Sequence, residues 1–150
     1  MMWGCFVGNK LGPLVCFPKG KIVSKEYYNL LNISLLSLLN TLDNKEDAIY
    51  IEDNAPIHKS RYTAAWKQDH DIDTMRWPVQ SPDLNPIENL WYQLKLELDK
   101  TKSKNITQLL VLMQDVWNGF RQTNRLNTLV ESMSRRIHEV ISTKGLPINY

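Results

Sequence analysis

Two carboxylates carry the chemistry this sequence could perform. Asp53 closes the apolar run of IYIEDNAPIH, and Glu88 opens a helix-like run in QSPDLNPIENLW, 35 positions later. The first ends a strand-like segment and the second begins a helix, which would bring acids from distant parts of the chain to one edge of a sheet. Paired carboxylates are hard oxygen donors of the kind that hold magnesium for phosphoryl transfer on nucleic acids. Each acid also has a plainer reading. Asp53 followed by Asn54, Ala55 and Pro56 is common turn chemistry. A Glu in the first turn of a helix capped by Asn85 serves the cap and the positive helix end. The two readings of Glu88 are compatible, because a carboxylate fixed at a helix start keeps one oxygen for a metal.

Three neighbours could assist. Asn54 and His58 follow Asp53 in the same segment, and Lys95 lies seven residues after Glu88, on nearly the same helix face. His58 is a poor magnesium ligand because its nitrogen is softer than oxygen. It is open to a hydrogen bond behind the metal, to a contact with a DNA phosphate, or to loop packing. Asn54 is open to the first two of these, and Lys95 to a phosphate or to solvent. Asp69, Asp71, Asp73 and Asp83 fall in polar loops, so none of them is expected to complete a triad.

The elements that must position these residues can be read from local patterns. Residues 2–17 predict a hairpin, with strands near MMWGCFVG and PLVCF and a turn at NKLG. Ser24 is expected to cap a helix with Glu26 in its first turn and Tyr27, Leu31, Leu35, Leu38 and Leu42 on its buried stripe. Residues 48–51 (AIYI) predict a strand buried on both faces. A short helix is expected over residues 60–68, using Tyr62, Ala65 and Trp66, and a brief strand over 74–77. Asn85-Pro86-Ile87-Glu88 predicts a helix start with Asn at the N-cap, Pro at N1 and Glu at N3, its apolar face carried by Ile87, Leu90, Trp91, Leu94 and Leu98. Asn105 should cap a helix carrying Ile106, Leu109, Leu110, Met113 and Trp117. A last helix is expected over 125–144, with Gly145 at C′. Trp66, Trp77, Trp91 and Trp117 fit core positions better than base-stacking ones. Strands and helices in this order argue for a mixed sheet covered by helices.

Bulk properties restrict the class. The chain has 150 residues, enough for one domain with a real core, and 43% hydrophobic with 23% charged residues is ordinary for a folded domain. A net charge of +2 does not by itself imply nucleic-acid binding. Lys95, Lys100, Lys102 and Lys104 read as a solvated helix end. Cys5 and Cys16 are expected to be free thiols, and no zinc spacing exists. No secretory signal is visible, and the apolar segment near residues 30–42 is too broken to span a membrane, so an intracellular product is expected.

Four strings together resemble one family: MMWGCFVGNKLGPL, YIEDNAPIH, WPVQSPDLNPIENLW and SMSRRIHEVISTKGLPINY. In order and spacing they resemble the catalytic domain of Tc/mariner superfamily transposases, from its second strand to its C-terminus. The resemblance implies a ribonuclease-H-like α/β fold, a mixed sheet flanked by helices, here lacking the first, central strand. It implies that Asp53 matches the second catalytic Asp and Glu88 the final Glu of an Asp-Asp-Glu triad. Those acids would hold Mg2+ or Mn2+ for DNA strand nicking and strand transfer, with DNA as partner, self-association as an option, and the nucleus as location. The whole of residues 1–150 is then expected to be a partial endonuclease domain, without the first catalytic Asp or the helix-turn-helix region that precedes it in the family. Two ligands of three should hold a divalent ion weakly, so this chain alone is expected to be inactive. The rival expectation is a DNA- or protein-binding module derived from a transposon.

Overall fold

The computed structural model describes residues 1–17, 22–78 and 81–148. Residues 79–80 of the loop before Glu88, and the last two residues of the C-terminal string, lie outside them. The chain divides into two compact units, Met1–Trp3 with Val15–Gln80 and Gly4–Leu14 with Ser81–Tyr150.

The predicted hairpin exists as two short antiparallel ladders. β1 (Met2–Trp3) pairs with β4 (Val15–Cys16), Met2 opposite Cys16, and β2 (Phe6–Val7) pairs with β3 (Lys10–Leu11), Phe6 opposite Leu11. The turn falls at Gly8-Asn9 rather than over NKLG, because Gly8 supplies the positive φ of +54° that a two-residue connection needs. β1 and β4 belong to the first unit, β2 and β3 to the second.

In the first unit, α1 (Ser24–Leu30) starts one residue earlier than expected. Val23 takes the N-cap, Ser24 is already helical, and Glu26 Oε2 accepts from Val23 N at 3.0 Å. The helix then widens into a π-helical segment, Leu31–Leu35, before α2 (Leu36–Leu39). Tyr27, Leu31, Leu35 and Leu38 are buried as the stripe predicts, while Leu42 is half-buried. Asn32 accepts from the buried Trp66 indole Nε1 at 2.7 Å. That indole lies on α3 (Arg61–Asp69), capped by Ser60, whose hydroxyl accepts from Thr63 N at 3.2 Å. The buried face of α3 is Thr63 and Trp66; Tyr62 and Ala65 are exposed, contrary to expectation, because the helix turns its Thr63 side inward.

The expected strand at residues 48–51 is reduced to a parallel bridge between Tyr50 and Thr74, with Tyr50 N donating to Asp73 O at 2.7 Å and Met75 N to Tyr50 O at 3.0 Å. Ile49 is 52% exposed, so the segment is not buried on both faces. Among the described residues its backbone pairs on one side only, and a lone bridge cannot propagate a ladder. The brief strand at 74–77 is limited to the same bridge.

In the second unit, a 3-10 turn at Pro82–Leu84 precedes α4 (Ile87–Lys100). Asn85 is extended (φ −86°, ψ 107°) and Pro86 already has helical backbone (φ −61°, ψ −26°), so Glu88 stands in the first turn, its N donating to Asn85 O at 3.1 Å. Leu90 and Leu94 are fully buried, and Ile87, Trp91 and Leu98 are half-buried. Asn105 caps α5 (Ile106–Gly119), its side chain accepting from Gln108 N at 2.9 Å. Met113 and Trp117 are buried, but Ile106 is exposed, lying in the first turn where no neighbour covers it among the described residues. Trp117 stacks on Trp91 with centroids 5.0 Å apart and donates to Gly12 O at 2.9 Å. Of the four tryptophans named above, Trp66 and Trp117 are core residues and Trp77 and Trp91 are half-buried. α6 (Arg125–Ser142) closes the chain. Lys144, not Gly145, takes the left-handed C′ position, since Lys144 N donates to Ile141 O and Gly145 N to Val140 O. Cys5 and Cys16 are free thiols. Among the described residues no helix is long and apolar enough to cross a membrane.

Candidate functional site

Asp53 follows the Tyr50 bridge, where the chain leaves its extended course for the turn at Pro56 to Lys59. Its side chain is 61% exposed, open to solvent as a ligand for an incoming cation would be. Oδ1 accepts from Ala55 N at 2.9 Å, an Asx-type turn, and lies 2.7 Å from His58 Nδ1. His58 is thus brought to Asp53, and its ring packs on Tyr27 with centroids 5.2 Å apart. Asn54 faces other partners. Its Nδ2 donates to Trp77 O at 3.1 Å and Pro78 O at 3.4 Å, tying the Asp53 segment to the start of the loop that leads to Glu88.

Behind Asp53 sits a residue to which sequence reasoning gave no role. Glu52 is half-buried and ion-paired through Oε1 with Lys67. Its Oε2 lies 4.0 Å from His58 Nδ1 and, among the described residues, accepts no hydrogen bond. Burial pushes the Glu52 carboxyl above the usual carboxylate range, partly offset by the Lys67 hydrogen bond and charge. Lys67 also lies over the Tyr50 ring, 5.6 Å from its centroid. No local pattern announces this pair, because Lys67 is 15 positions away on α3.

Glu88 is half-buried in the first turn of α4, where the positive end of the helix favours a carboxylate. The loop before it is held by more than its prolines. Asp83 Oδ1 accepts from Leu84 N at 3.1 Å and Oδ2 from Ile148 N at 3.1 Å. Arg136, 2% exposed on α6, donates Nη1 to Asp83 O at 2.9 Å, Nη2 to Asn89 Oδ1 at 2.7 Å and Nε to Ser132 Oγ at 2.8 Å. Sequence reasoning missed Arg136, although a signal existed. It occupies the position that the helical stripe Leu126, Leu129, Met133, Val140 would give to an apolar side chain. Lys95 lies two turns after Glu88 and is exposed. Lys100, further along, pairs with Glu97 at 2.7 Å on the surface.

Asp53, Asn54 and His58 belong to the first unit, Glu88 and Lys95 to the second. The donor chemistry at Asp53 and Glu88 is carboxylate oxygen, which fits a hard divalent cation. It is not a complete cage in either unit: among the described residues no group of three or more His, Cys, Asp or Glu side chains is arranged to hold a metal.

The profile of a family described as DDE superfamily endonuclease matches residues 15–110, a span that includes Asp53 and Glu88. Transposable element Tc3 transposase of Caenorhabditis elegans is 36% identical over 152 residues, covering all of this chain and 45% of that protein. Transposable element Tcb1 transposase of Caenorhabditis briggsae is 34% identical over 156 residues, covering all of this chain and 54% of that protein. The chain therefore spans about half the length of the curated relatives it matches. Among solved structures, the catalytic domain of Mos1 mariner transposase superposes with a TM-score of 0.77 at 14% identity, over 99% of this chain and 82% of that one. A second Mos1 catalytic-domain structure, with raltegravir and Mn, gives a TM-score of 0.79. The fold is the ribonuclease-H-like one of the transposase catalytic domain.

Proposed function

The chain belongs to the DDE superfamily endonuclease family, and from that membership we propose that Asp53 and Glu88 are two carboxylates of a transposase active site that acts on DNA with Mg2+ or Mn2+. The observation that carries this reading is the family match across residues 15–110, a span that contains both acids. A divalent ion, when bound, neutralises phosphate charge and makes water a stronger nucleophile at neutral pH. The chain's own part is to hold and orient. Asp53 would present its carboxylate with Oδ1 braced by Ala55 N and His58. Glu88 would present its carboxylate from a helix start whose loop is fixed by Arg136. Asn54 would keep the Asp53 segment against the carbonyls of Trp77 and Pro78, and Lys95 would meet a DNA phosphate.

Within these 150 residues the matched motifs supply the second and third acids of the triad, with no counterpart of the first. Two carboxylates hold a divalent ion weakly, so the 150-residue chain by itself should not nick DNA. The same reading places the protein in the nucleus, with transposon ends and target DNA as partners. The test is Mg2+- or Mn2+-dependent nicking of supercoiled DNA by the purified chain, beside Asp53→Asn and Glu88→Gln, with Mn2+ binding followed by electron paramagnetic resonance. The expected result is no nicking, and weak Mn2+ binding that either substitution reduces. Nicking that both substitutions abolish would overturn the inactivity, and Mn2+ binding indifferent to both would overturn the site. Salt-dependent DNA affinity that persists without either acid would favour a binding module instead.

A further inference from the structure

We infer that Arg136 is a positioning residue for Glu88, an inference that rests on the reading of Glu88 as a metal-holding acid. A guanidinium offers five N–H donors in a rigid fork, and three of its donor groups are spent on three separate chain segments. Nη1 reaches the carbonyl of Asp83 in the 3-10 turn, Nη2 the side chain of Asn89 in the first turn of α4, and Nε the hydroxyl of Ser132 on its own helix. Asn89 is the residue directly after Glu88, and Asp83 lies five before it. Arg136 therefore ties the chain on both sides of the acid to α6, through a backbone carbonyl before it and a side chain after it. The same turn residue is held a second time, through Ile148 N on Asp83 Oδ2.

The clamp is buried, since Arg136 is 2% exposed. A charged side chain taken out of water persists only where its donors are satisfied. Here two of the three acceptors named come from the segment that presents Glu88, at a core position that a leucine would fill at lower cost. Prolines 82 and 86 restrict the local backbone of that segment, but they cannot fix where it sits on α6. Arg136 does. Lysine would not replace it, because one ammonium on a flexible stem cannot reach three acceptors arranged around a planar fork.

The test uses the full 150-residue chain and two readouts. Arg136→Lys keeps the charge and removes the fork; Asn89→Ala removes one acceptor and serves if the first variant fails to fold. Amide hydrogen exchange should rise across residues 83–89 in either variant while α5 stays protected. Mn2+ affinity should fall roughly 10-fold, the scale on which groups supporting a metal ligand act, at a temperature where circular dichroism shows an intact fold. A role confined to general stability would lower the melting temperature without changing Mn2+ affinity of the folded protein. Unchanged exchange at 83–89 would overturn the clamp. Faster exchange with unchanged Mn2+ affinity, in a chain where Glu88→Gln does weaken binding, would overturn the link to Glu88. If Glu88→Gln itself binds Mn2+ as the parent does, the assignment of Glu88 fails first and this inference falls with it.

Discussion

His58 Nδ1 lies 2.7 Å from Asp53 Oδ1, and the amide of Ala55 meets the same oxygen at 2.9 Å. Both local donors thus converge on one oxygen of the carboxylate and set its rotation about the side chain. The imidazole that does this is itself held by its ring contact with Tyr27, at 5.2 Å between centroids. Orientation of Asp53 is therefore referred back to α1, through a residue from the turn five positions on.

That relay separates two effects of losing His58. His58→Phe retains a ring against Tyr27 and removes the nitrogen; His58→Ala removes both. Mn2+ affinity should fall roughly 10-fold in both, as for other groups that orient a metal ligand. The melting temperature should fall clearly only in His58→Ala, where a contact with the buried Tyr27 is lost. Parent-like Mn2+ binding by His58→Phe would show that the 2.7 Å contact has no bearing on Asp53.

Gly4 is set by sterics rather than by φ. A Cβ there would stand 2.7 Å from Cη2 and Cζ2 of Trp117 and 3.0 Å from Cη2 of Trp91. Trp117 cannot retreat, being fully buried and anchored by its Nε1 hydrogen bond to Gly12 O at 2.9 Å. Gly4→Ala should destabilise the second unit by about 1–3 kcal/mol, the usual scale of overpacking. The denaturant midpoint followed by tryptophan fluorescence reads this directly, and an unchanged midpoint would show that the tryptophan pair yields.

What was legible in the sequence was local. Asn105 and the Asn85-Pro86 pair mark helix starts because capping depends on a few consecutive residues, and α5 and α4 begin there within a residue. The stripe Tyr27, Leu31, Leu35, Leu38 was legible for the same reason, its burial surviving even the π-helical segment. What was not legible depends on tertiary partners. The segment at Tyr50 has strand composition, yet a strand exists only with neighbours, and only one bridge forms among the described residues. Glu52 finds Lys67 through the packing of α3, not through spacing. Arg136 lay between the two cases: periodicity placed it on a core stripe, but only the fold shows that Asp83, Asn89 and Ser132 fill its donors. The two acids were readable as residues and as motif members, and His58 as a neighbour open to a hydrogen bond beside Asp53, while the Arg136 clamp beside Glu88 was not.

Burial of Cys5 makes a signed prediction for alkaline pH. Loss of solvent pushes its thiol from 9.0 up to about 12. The native state therefore favours the protonated thiol, and that contribution is fully present below pH 9 and lost as pH rises from 9 towards 12. Burial also raises the Tyr27 phenol, so the decline steepens once unfolded tyrosine begins to ionise. Between about pH 8 and about pH 10.5 the parent should lose up to about 2 kcal/mol through Cys5, at 1.36 kcal/mol per pH unit. Cys5→Ala should show a shallower decline over that range, whatever its stability at neutral pH. Parallel slopes for the two proteins would contradict the buried thiol.

The end of α6 offers a prediction of opposite sign, a substitution that stabilises. Lys144 carries the left-handed φ of +57° at C′, with its N donating to Ile141 O at 3.1 Å, and Gly145 follows at φ +86° with its N on Val140 O at 2.8 Å. A Cβ in that left-handed region costs roughly 1–2 kcal/mol, which glycine avoids. Nothing stands within 4 Å of a Cβ built at Gly145, so the restriction there is conformational rather than steric. Lys144→Gly should therefore raise stability by about 1 kcal/mol once the greater freedom of unfolded glycine is deducted. Gly145→Ala should lower it by a similar amount. Both hydrogen bonds belong to the cap itself, so the two shifts should appear in the unfolding midpoint without any change in Mn2+ binding. A Lys144→Gly protein less stable than its parent would mean that α6 does not end in this conformation.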